Sequence, residues 1–194
     1  MRPTLAVRSA ARRGPGWLAA ALVLMALPAA ASPPTPWSRA HTPTAGPARS
    51  IGGYSAGCIA GAVALPLRGD GFRVAKPERN RVFGHPLLVS LIRSLGAQLV
   101  TAKLPPLFVG DMGQPRGGPA PSGHASHQTG LDVDIWFAPP SAKEASMVDA
   151  AQKRASPRFT PEVAHVVELA AENPAVERIF LNPLLKRALC ERTT

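Results

Sequence analysis

Apolar residues recur every three or four positions after Pro86, which is the spacing of one face of an α-helix. This first stripe comprises Leu87, Leu88, Leu91, Ile92, Leu95 and Leu99. Thr160 and Pro161 suit the cap and the first position of a second helix. Its apolar face comprises Val163, Val166, Val167 and Ala170. Asn182-Pro183 opens a third helix, so the pattern predicts three.

Shorter apolar runs predict strands. These lie around Cys58 within residues 51–67, at residues 71–75, at Leu107–Val109 and at residues 176–181. Apolar and acidic residues alternate between Leu131 and Ile135, which predicts a further strand. Leu131, Val133 and Ile135 would face a core, while Asp132 and Asp134 would share the opposite face. The pattern therefore predicts both helices and strands in this domain.

The N-terminal residues 1–31 have the pattern of a signal peptide. Arg2, Arg8, Arg12 and Arg13 precede an apolar run over residues 17–27, which is too short to span a bilayer comfortably. Three alanines at residues 29–31 offer a cleavage site, so cleavage is favoured over an uncleaved anchor. The sequence therefore predicts an exported protein, by a route that it leaves open.

A proline-rich segment follows the predicted signal peptide. Residues 32–50 contain five prolines among Thr, Ala and Gly, which is typical of an extended linker. We predict a linker over residues 32–49 and one domain over residues 50–194.

The net charge of the chain indicates which classes of binding partner are plausible. Lys and Arg number 22 against 12 Asp and Glu, giving +10, and removing the four N-terminal arginines leaves 10 − 4, about +6. The remaining basic residues are dispersed and accompany a single tyrosine, so nucleic acid is a poor candidate partner. An acidic polymer such as a cell wall would suit a mild positive field, although a solvated surface is the simpler interpretation.

Two cysteines, Cys58 and Cys190, would enter an oxidising compartment. They are disulfide candidates, either with each other or with separate partners, and the sequence leaves this choice open.

A cluster of metal-ligand residue types lies within residues 122–135. It contains His124, His127, Asp132 and Asp134. Imidazole and carboxylate groups are usual ligands of a catalytic zinc ion. Gly130 allows a tight turn that would fold His127 back toward the acidic face, so His127 and Asp134 could bind one ion, with His124 as a ligand or beside it. The simpler alternative is a pair of surface histidines next to a solvated edge strand. The sequence contains no H-E-x-x-H motif, and no G-x-S-x-G motif presents Ser126, the serine between the two histidines.

The segment over residues 123–134 (GHASHQTGLDVD) closely resembles the zinc-binding segment of the penicillin-insensitive murein endopeptidases. This family belongs with lysostaphin-type enzymes, D-Ala-D-Ala carboxypeptidases and the hedgehog amino-terminal domain. The resemblance runs from about Ser50 to the end of the chain. Its further segments are residues 50–58 (SIGGYSAGC), 83–86 (FGHP), 110–113 (GDMG) and 178–183 (RIFLNP), before Cys190.

The resemblance implies a periplasmic zinc (Zn²⁺) hydrolase that cuts peptide cross-links of peptidoglycan, notably the bond from D-alanine to diaminopimelate. His127 and Asp134 are then expected to bind the zinc, with His124 as a third histidine ligand at or beside it. Asp132 would orient a ligand histidine or serve a structural role. No stable membrane insertion is expected after signal cleavage.

The sequence departs from the family pattern at its C-terminus. The family has an H-x-H strand that supplies a further ligand and the expected catalytic base, and this sequence stops at Thr194 before it. The resemblance therefore implies an α+β fold, an antiparallel sheet flanked by helices, in an incomplete domain that lacks that strand. Of the other histidines, we expect His165 to be a surface residue, His85 a structural residue at a helix start, and His41 to lie in the linker. Asp149, without an accompanying histidine, does not predict a second metal site.

Two functions follow as hypotheses. One is a zinc-dependent murein endopeptidase whose full form extends past Thr194. The other is a truncated homologue that binds peptidoglycan or zinc without catalysis.

Overall fold

A computed structural model describes residues 34–121, 125–139, 141 and 146–192. All described residues belong to one compact unit, Ala31–Thr194. The predicted signal peptide lies outside the described residues. Within the described ranges, no helix combines the length and apolar character needed to cross a membrane.

The three predicted helices are present, and each begins at the expected cap. They are α1 (Pro86–Thr101), α2 (Pro161–Glu172) and α3 (Pro183–Cys190). The side chains of His85, Thr160 and Asn182 accept backbone N–H groups in the first turns of these helices. A proline also occupies the first turn of each helix, where a missing N–H costs little.

The buried face of α1 is rotated slightly from the predicted one. Its buried residues are Leu88, Val89, Ile92, Leu95, Gly96 and Leu99. The prediction that Leu87 belongs to the apolar face is wrong, because its side chain is 70% exposed. Each residue turns the helix by about 100°, so a face centred on Ile92 includes Val89, roughly 60° away, and excludes Leu87, roughly 140° away.

Ten short strands form four small sheets in the described part of the chain. They are β1 (Arg49–Gly53), β2 (Ala56–Ala60), β3 (Val63–Ala64), β4 (Arg68–Gly69), β5 (Phe72–Val74), β6 (Phe83–Gly84), β7 (Leu107–Val109), β8 (Ile135–Trp136), β9 (Val148–Asp149) and β10 (Arg154–Ala155). Strands β1 and β2 pair with each other, as do β9 and β10, and β3 pairs with β6. The largest of these sheets has the order β4-β5-β7-β8.

The four-stranded sheet is mixed. Its β5 and β7 strands run parallel, while its other two pairs are antiparallel. Helix α1 lies between β5 and β7 in the chain, and parallel neighbours require a crossover of this kind. The α+β class is therefore confirmed, with one parallel pair among otherwise antiparallel ones.

One hydrophobic core joins α1 to this sheet. Phe72 and Leu107, which face each other across β5 and β7, pack with the buried residues of α1. Met112, which follows β7 in the chain, belongs to the same cluster, as does Val166 of α2. The core thereby anchors the chain immediately before the segment that carries the predicted metal ligands.

Two strand predictions need correction. Residues 176–181 are not a strand, because they have no strand neighbour in the described chain and a strand needs one for its backbone hydrogen bonds. Phe180 within this segment is 79% exposed. In the other case, β8 is confined to Ile135–Trp136, and Leu131 is exposed rather than in the core. The positive φ of Gly130 and the contact of Asp132 with the His127 backbone favour a turn before β8 over an extended chain.

The segment predicted to be a linker forms hydrogen bonds with the domain. Thr35 Oγ1 donates to Pro119 O at 2.8 Å, and Arg116 Nε donates to Thr42 O at 3.2 Å. This part of the chain therefore lies along the domain surface, although its composition is typical of a linker.

Cys58 and Cys190 are both among the described residues. Cys58 is half-buried in β2, and Cys190 is exposed at the end of α3. No disulfide joins these two described cysteines, so their pairing with each other is not observed.

Candidate metal centre

The chain enters the candidate site through a buried stretch with little regular secondary structure. Residues 111–115, 117–118 and 127–130 are all buried. Asp134 continues the pairing of β7 with β8, because its N–H donates to Asp111 O at 2.9 Å and its carbonyl accepts the Gly110 N–H at 2.7 Å. The backbone of Asp134 is therefore fixed against the end of β7.

A tight turn returns the chain from His127 toward Asp134, as the sequence predicts. Gly130 has φ +67°, and a Cβ at this position would lie 3.1 Å from Gly84 Cα, so glycine is favoured on both counts. His127 itself has φ +67°. This left-handed conformation costs a non-glycine residue on the order of 1 kcal/mol, which the surrounding contacts must offset.

Asp132 holds one side of the His127 imidazole. Its Oδ2 lies 2.8 Å from His127 Nδ1 and also accepts the His127 backbone N–H at 3.0 Å. The two contacts fix both the ring and the backbone of the histidine. A carboxylate at Nδ1 favours the tautomer with its proton on that nitrogen, which leaves the Nε2 lone pair for a metal.

Asp134 lies on the other side of the same ring. Its Oδ2 is 3.4 Å from His127 Nε2. The imidazole is buried, whereas the Asp132 and Asp134 side chains are partly exposed. The structure therefore brings His127, Asp132 and Asp134 together, with the two ring nitrogens directed at different carboxylates.

The two carboxylates change the acidity of the histidine. Burial of the ring lowers its pKa, but the hydrogen bonds and negative charges of Asp132 and Asp134 together outweigh burial and raise the pKa of His127 to about 10. Without a metal, the ring therefore carries a proton at neutral pH and forms ion pairs with both carboxylates. A cation that binds Nε2 must displace that proton.

The separation of His127 Nε2 and Asp134 Oδ2 fits a shared zinc ion. Zinc binds histidine nitrogen and carboxylate oxygen at about 2.0–2.1 Å in tetrahedral sites, which separates two such ligand atoms by about 3.3–3.4 Å. The observed separation is 3.4 Å. The described residues contain no group of three His, Cys, Asp or Glu side chains that could hold a metal ion.

The other histidines of the chain do not join this pair within the described residues. The third predicted ligand, His124, lies outside those residues. His165 is exposed on α2, as expected, and His41 is exposed near the start of the described chain.

Two further candidates have local structural roles. His85 caps α1 by accepting the Leu87 N–H at 3.2 Å, which confirms the structural role predicted for it. Asp149 accepts the N–H of Gln152 at 3.0 Å in the turn between β9 and β10. Each side chain therefore stabilises a turn or a helix start near its own position in the sequence.

Two polar arrangements near the site are not indicated by the sequence. Asp111 is only 2% exposed, and its Oδ2 contacts Arg81 Nη1 at 2.7 Å and Arg79 Nη2 at 2.9 Å. Gln128, next to His127, is also buried and forms hydrogen bonds to distant segments. The place of Gln128 next to His127 is the one sequence feature that could have drawn attention to it. Nothing local in the sequence identifies the groups with which it forms hydrogen bonds.

A small cleft opens beside His127. Its empty volume is about 200 Å³, including space open to solvent. The residues lining it are Arg81, Met112, Gln114, Gly118, Ala120, Ser126 and His127. The cleft therefore places a buried arginine, Arg81, beside the candidate ligand.

The chain is similar to known proteins over a region that includes this site. Residues 50–194 match the family model of the penicillin-insensitive murein endopeptidases. A protein of that name from Klebsiella pneumoniae (strain 342) is 42% identical over 167 residues, covering 80% of this chain and 61% of the relative. One from Yersinia enterocolitica serotype O:8 is 40% identical over 186 residues, covering 90% of this chain and 67% of the relative.

A third relative, from Escherichia coli O17:K52:H18 and also named penicillin-insensitive murein endopeptidase, is 39% identical over 183 residues. Those residues cover 89% of this chain and 67% of the relative. The chain thus spans about three-fifths to two-thirds of the length of these relatives. The family match includes the whole region around His127, and the chain belongs to the penicillin-insensitive murein endopeptidase family.

Proposed function

We propose that this chain is a zinc-dependent endopeptidase that hydrolyses peptide cross-links of peptidoglycan. The substrate class rests on family membership, since the relatives are named murein endopeptidases. The metal rests on one observation, the 3.4 Å separation of His127 Nε2 and Asp134 Oδ2 beside a buried imidazole. Ligands of this chemistry at this separation suit zinc.

Each residue has a distinct role in this proposal. His127 and Asp134 bind the metal, with His124 as a third ligand. Asp132 keeps the Nδ1 proton of His127 in place and thereby directs Nε2 toward the ion. When bound, zinc would supply Lewis acidity that activates the scissile carbonyl and water. No described residue is assigned the acid–base role that moves a proton to the leaving amine.

The proposed setting is the periplasm, after export directed by the N-terminal segment. The support is the basic and apolar pattern of residues 1–31. Sequencing the N-terminus of the protein recovered from a periplasmic fraction tests this. A new N-terminus near Ser32 is expected, and recovery only from the cytoplasm with Met1 intact would contradict export.

The decisive test of activity is digestion of purified cross-linked muropeptide dimers by the protein isolated from its own cells. We expect conversion to monomers, inhibition by a chelator and recovery on adding zinc. His127→Ala should abolish conversion and reduce bound zinc. The matched control is His165→Ala, which removes an exposed histidine from α2 and should leave both unchanged.

The outcomes separate the two functions. Dimers that bind without conversion, with zinc present, would favour a binding protein over an enzyme. Asp134→Ala with unchanged zinc content would refute the proposed ligand set. Its matched control is Asp70→Ala, since Asp70 is an exposed aspartate outside the site.

A further inference from the structure

The buried side chain of Gln128 uses both its donor and its acceptor groups. Its Nε2 donates to Ser55 O at 2.9 Å and to Ala125 O at 3.1 Å, and its Oε1 accepts the Gly57 N–H at 3.1 Å. Its backbone N–H donates to Tyr54 O at 3.2 Å. A buried amide satisfied in this way rigidifies the segments it joins, because each lost bond would leave a buried polar group.

These contacts join the β1–β2 hairpin to the residues around His127. Tyr54 and Ser55 lie in the turn of the hairpin, and Gly57 lies in β2. A second connection runs from Ser50 Oγ to Thr129 O at 2.8 Å. A Cβ on Gly57 would lie 2.7 Å from Thr129 Cγ2, so the hairpin lies directly against this segment.

The same contacts lie on both sides of the candidate ligand in the chain. Ala125 precedes His127 by two residues, and Gln128 follows it. His127 has a backbone conformation that non-glycine residues seldom adopt. Such a conformation persists only where the surroundings determine it, and Gln128 anchors the chain just before and just after it.

We propose that Gln128 is a positioning residue, which uses the β1–β2 hairpin as a fixed support to hold His127 in its ligand geometry. The inference rests on the proposed function for the identity of the ion. It gives the hairpin a part in metal binding that acts through backbone groups of Tyr54, Ser55 and Gly57 rather than through ligands of its own.

The proposal predicts a loss of metal affinity out of proportion to the loss of stability. Gln128→Met keeps a side chain of similar length but removes its three hydrogen bonds. Gln128→Glu keeps the acceptor for Gly57 and places a carboxylate against the carbonyl oxygens of Ser55 and Ala125. Loss of a group that orients a ligand histidine typically weakens metal binding by about 10–100-fold.

The experiment titrates the metal-free protein, isolated from its own cells, with Co²⁺ alone and follows the visible absorption of the bound ion. We expect the Kd of Gln128→Met to rise roughly 10–100-fold, with Gln128→Glu similar. The control is Val163→Ala, which removes buried apolar volume from α2. It should lower the melting temperature and leave the Kd of the folded protein within about twofold of the wild type.

Amide hydrogen exchange of the metal-free variants gives a second readout that needs no metal. Faster exchange in residues 125–129 of Gln128→Met, with α1 unchanged, supports the proposal. An unchanged Kd together with unchanged exchange would overturn it, as would an equal loss of affinity in Val163→Ala. A wild-type protein that binds no Co²⁺ would refute the proposed function instead, and the exchange data would still decide the role of Gln128.

Discussion

Helix α1 buries one face, whereas the buried loop, which we define as residues 110–121 and 125–130, is largely removed from solvent, and the two regions are stabilised differently. The helix satisfies its backbone internally and buries apolar side chains such as Ile92 and Leu99. The buried loop instead encloses polar side chains. Among them, Asp111 pairs with Arg81, and Gln128 bonds to the β1–β2 hairpin.

The two regions should therefore lose folding stability for different reasons when a residue is substituted. A buried apolar side chain loses contacts gradually as it is shortened, and the cost grows with the cavity that remains. A buried charge or amide loses its stabilisation abruptly, because its partner is left unsatisfied in a low-dielectric interior. A small chemical change in the buried loop should therefore lower the free energy of unfolding as much as, or more than, a larger change in α1.

The largest effect is expected at Asp111. Asp111→Asn preserves the shape of the side chain but removes the charge that pairs with Arg81 and Arg79. Losing the carboxylate that neutralises a buried guanidinium should destabilise the fold by about 3–5 kcal/mol, measured by urea unfolding. The control is Asp70→Asn at an exposed position, which should change stability by less than about 0.5 kcal/mol. Equal effects of the two variants would show that the Asp111 charge does not stabilise the buried loop.

The next effect tests the helix side of the comparison. Leu99 is fully buried, whereas the adjacent Val100 is 57% exposed. Leu99→Ala should destabilise the protein by about 2–5 kcal/mol through lost burial and a cavity, while Val100→Ala should cost less than about 0.5 kcal/mol. Both are measured by the same urea titration. A similar loss in the two variants would contradict the assigned face of α1.

The helices could be predicted from the sequence because their signals are local. Thr160 and Asn182 each lie within three residues of the N–H groups they accept, and the apolar stripe of α1 is visible at its own spacing. Residues 176–181 failed as a strand prediction for the opposite reason. Their apolar side chains suit a strand, but a strand also needs a neighbour, and neighbours are specified by distant parts of the chain.

In the candidate site, too, contacts between neighbours in the sequence could be predicted, whereas contacts between distant segments could not. Gly130 and the spacing of His127 to Asp134 correctly predict a turn that brings histidine and carboxylates together, since the whole arrangement lies within eight residues. The bonds from Gln128 to the hairpin span more than 70 residues of sequence, and the Arg81–Asp111 pair spans 30. Neither could be inferred from composition or periodicity, because no local pattern encodes which buried donor meets which acceptor.

A smaller, pH-dependent effect is expected from His127. In the folded, metal-free protein its pKa is raised to about 10, against 6.5 for an unperturbed histidine. A raised folded pKa contributes stability that is fully present below pH 6.5 and is lost as the pH rises toward 10. We expect the melting temperature of the metal-free protein to fall over this interval by roughly a few degrees more than that of His127→Gln, in matched thermal scans. Parallel curves for the two proteins would contradict the raised pKa.

Metal binding should respond to pH in the opposite direction. Because a cation must displace the proton from His127 Nε2, affinity for Co²⁺ should increase between about pH 6 and 8, and binding should release a proton. Calorimetry in two buffers of different ionisation enthalpy measures that proton. No proton release near neutral pH would contradict either the raised pKa of His127 or its role as a ligand.

The smallest effect is expected at the cap of α2. Thr160 Oγ1 accepts the Val163 N–H at 3.4 Å, and a hydrogen bond from Thr160 also lowers the pKa of Glu162. Thr160→Ala should therefore cost about 1 kcal/mol and let the pKa of Glu162 rise, as followed by NMR. Thr160→Ser keeps the hydroxyl and should retain most of both effects. If instead Thr160→Ala destabilised the protein as much as Asp111→Asn, local capping would rival buried charge pairing, and the contrast between helix and buried loop would fail.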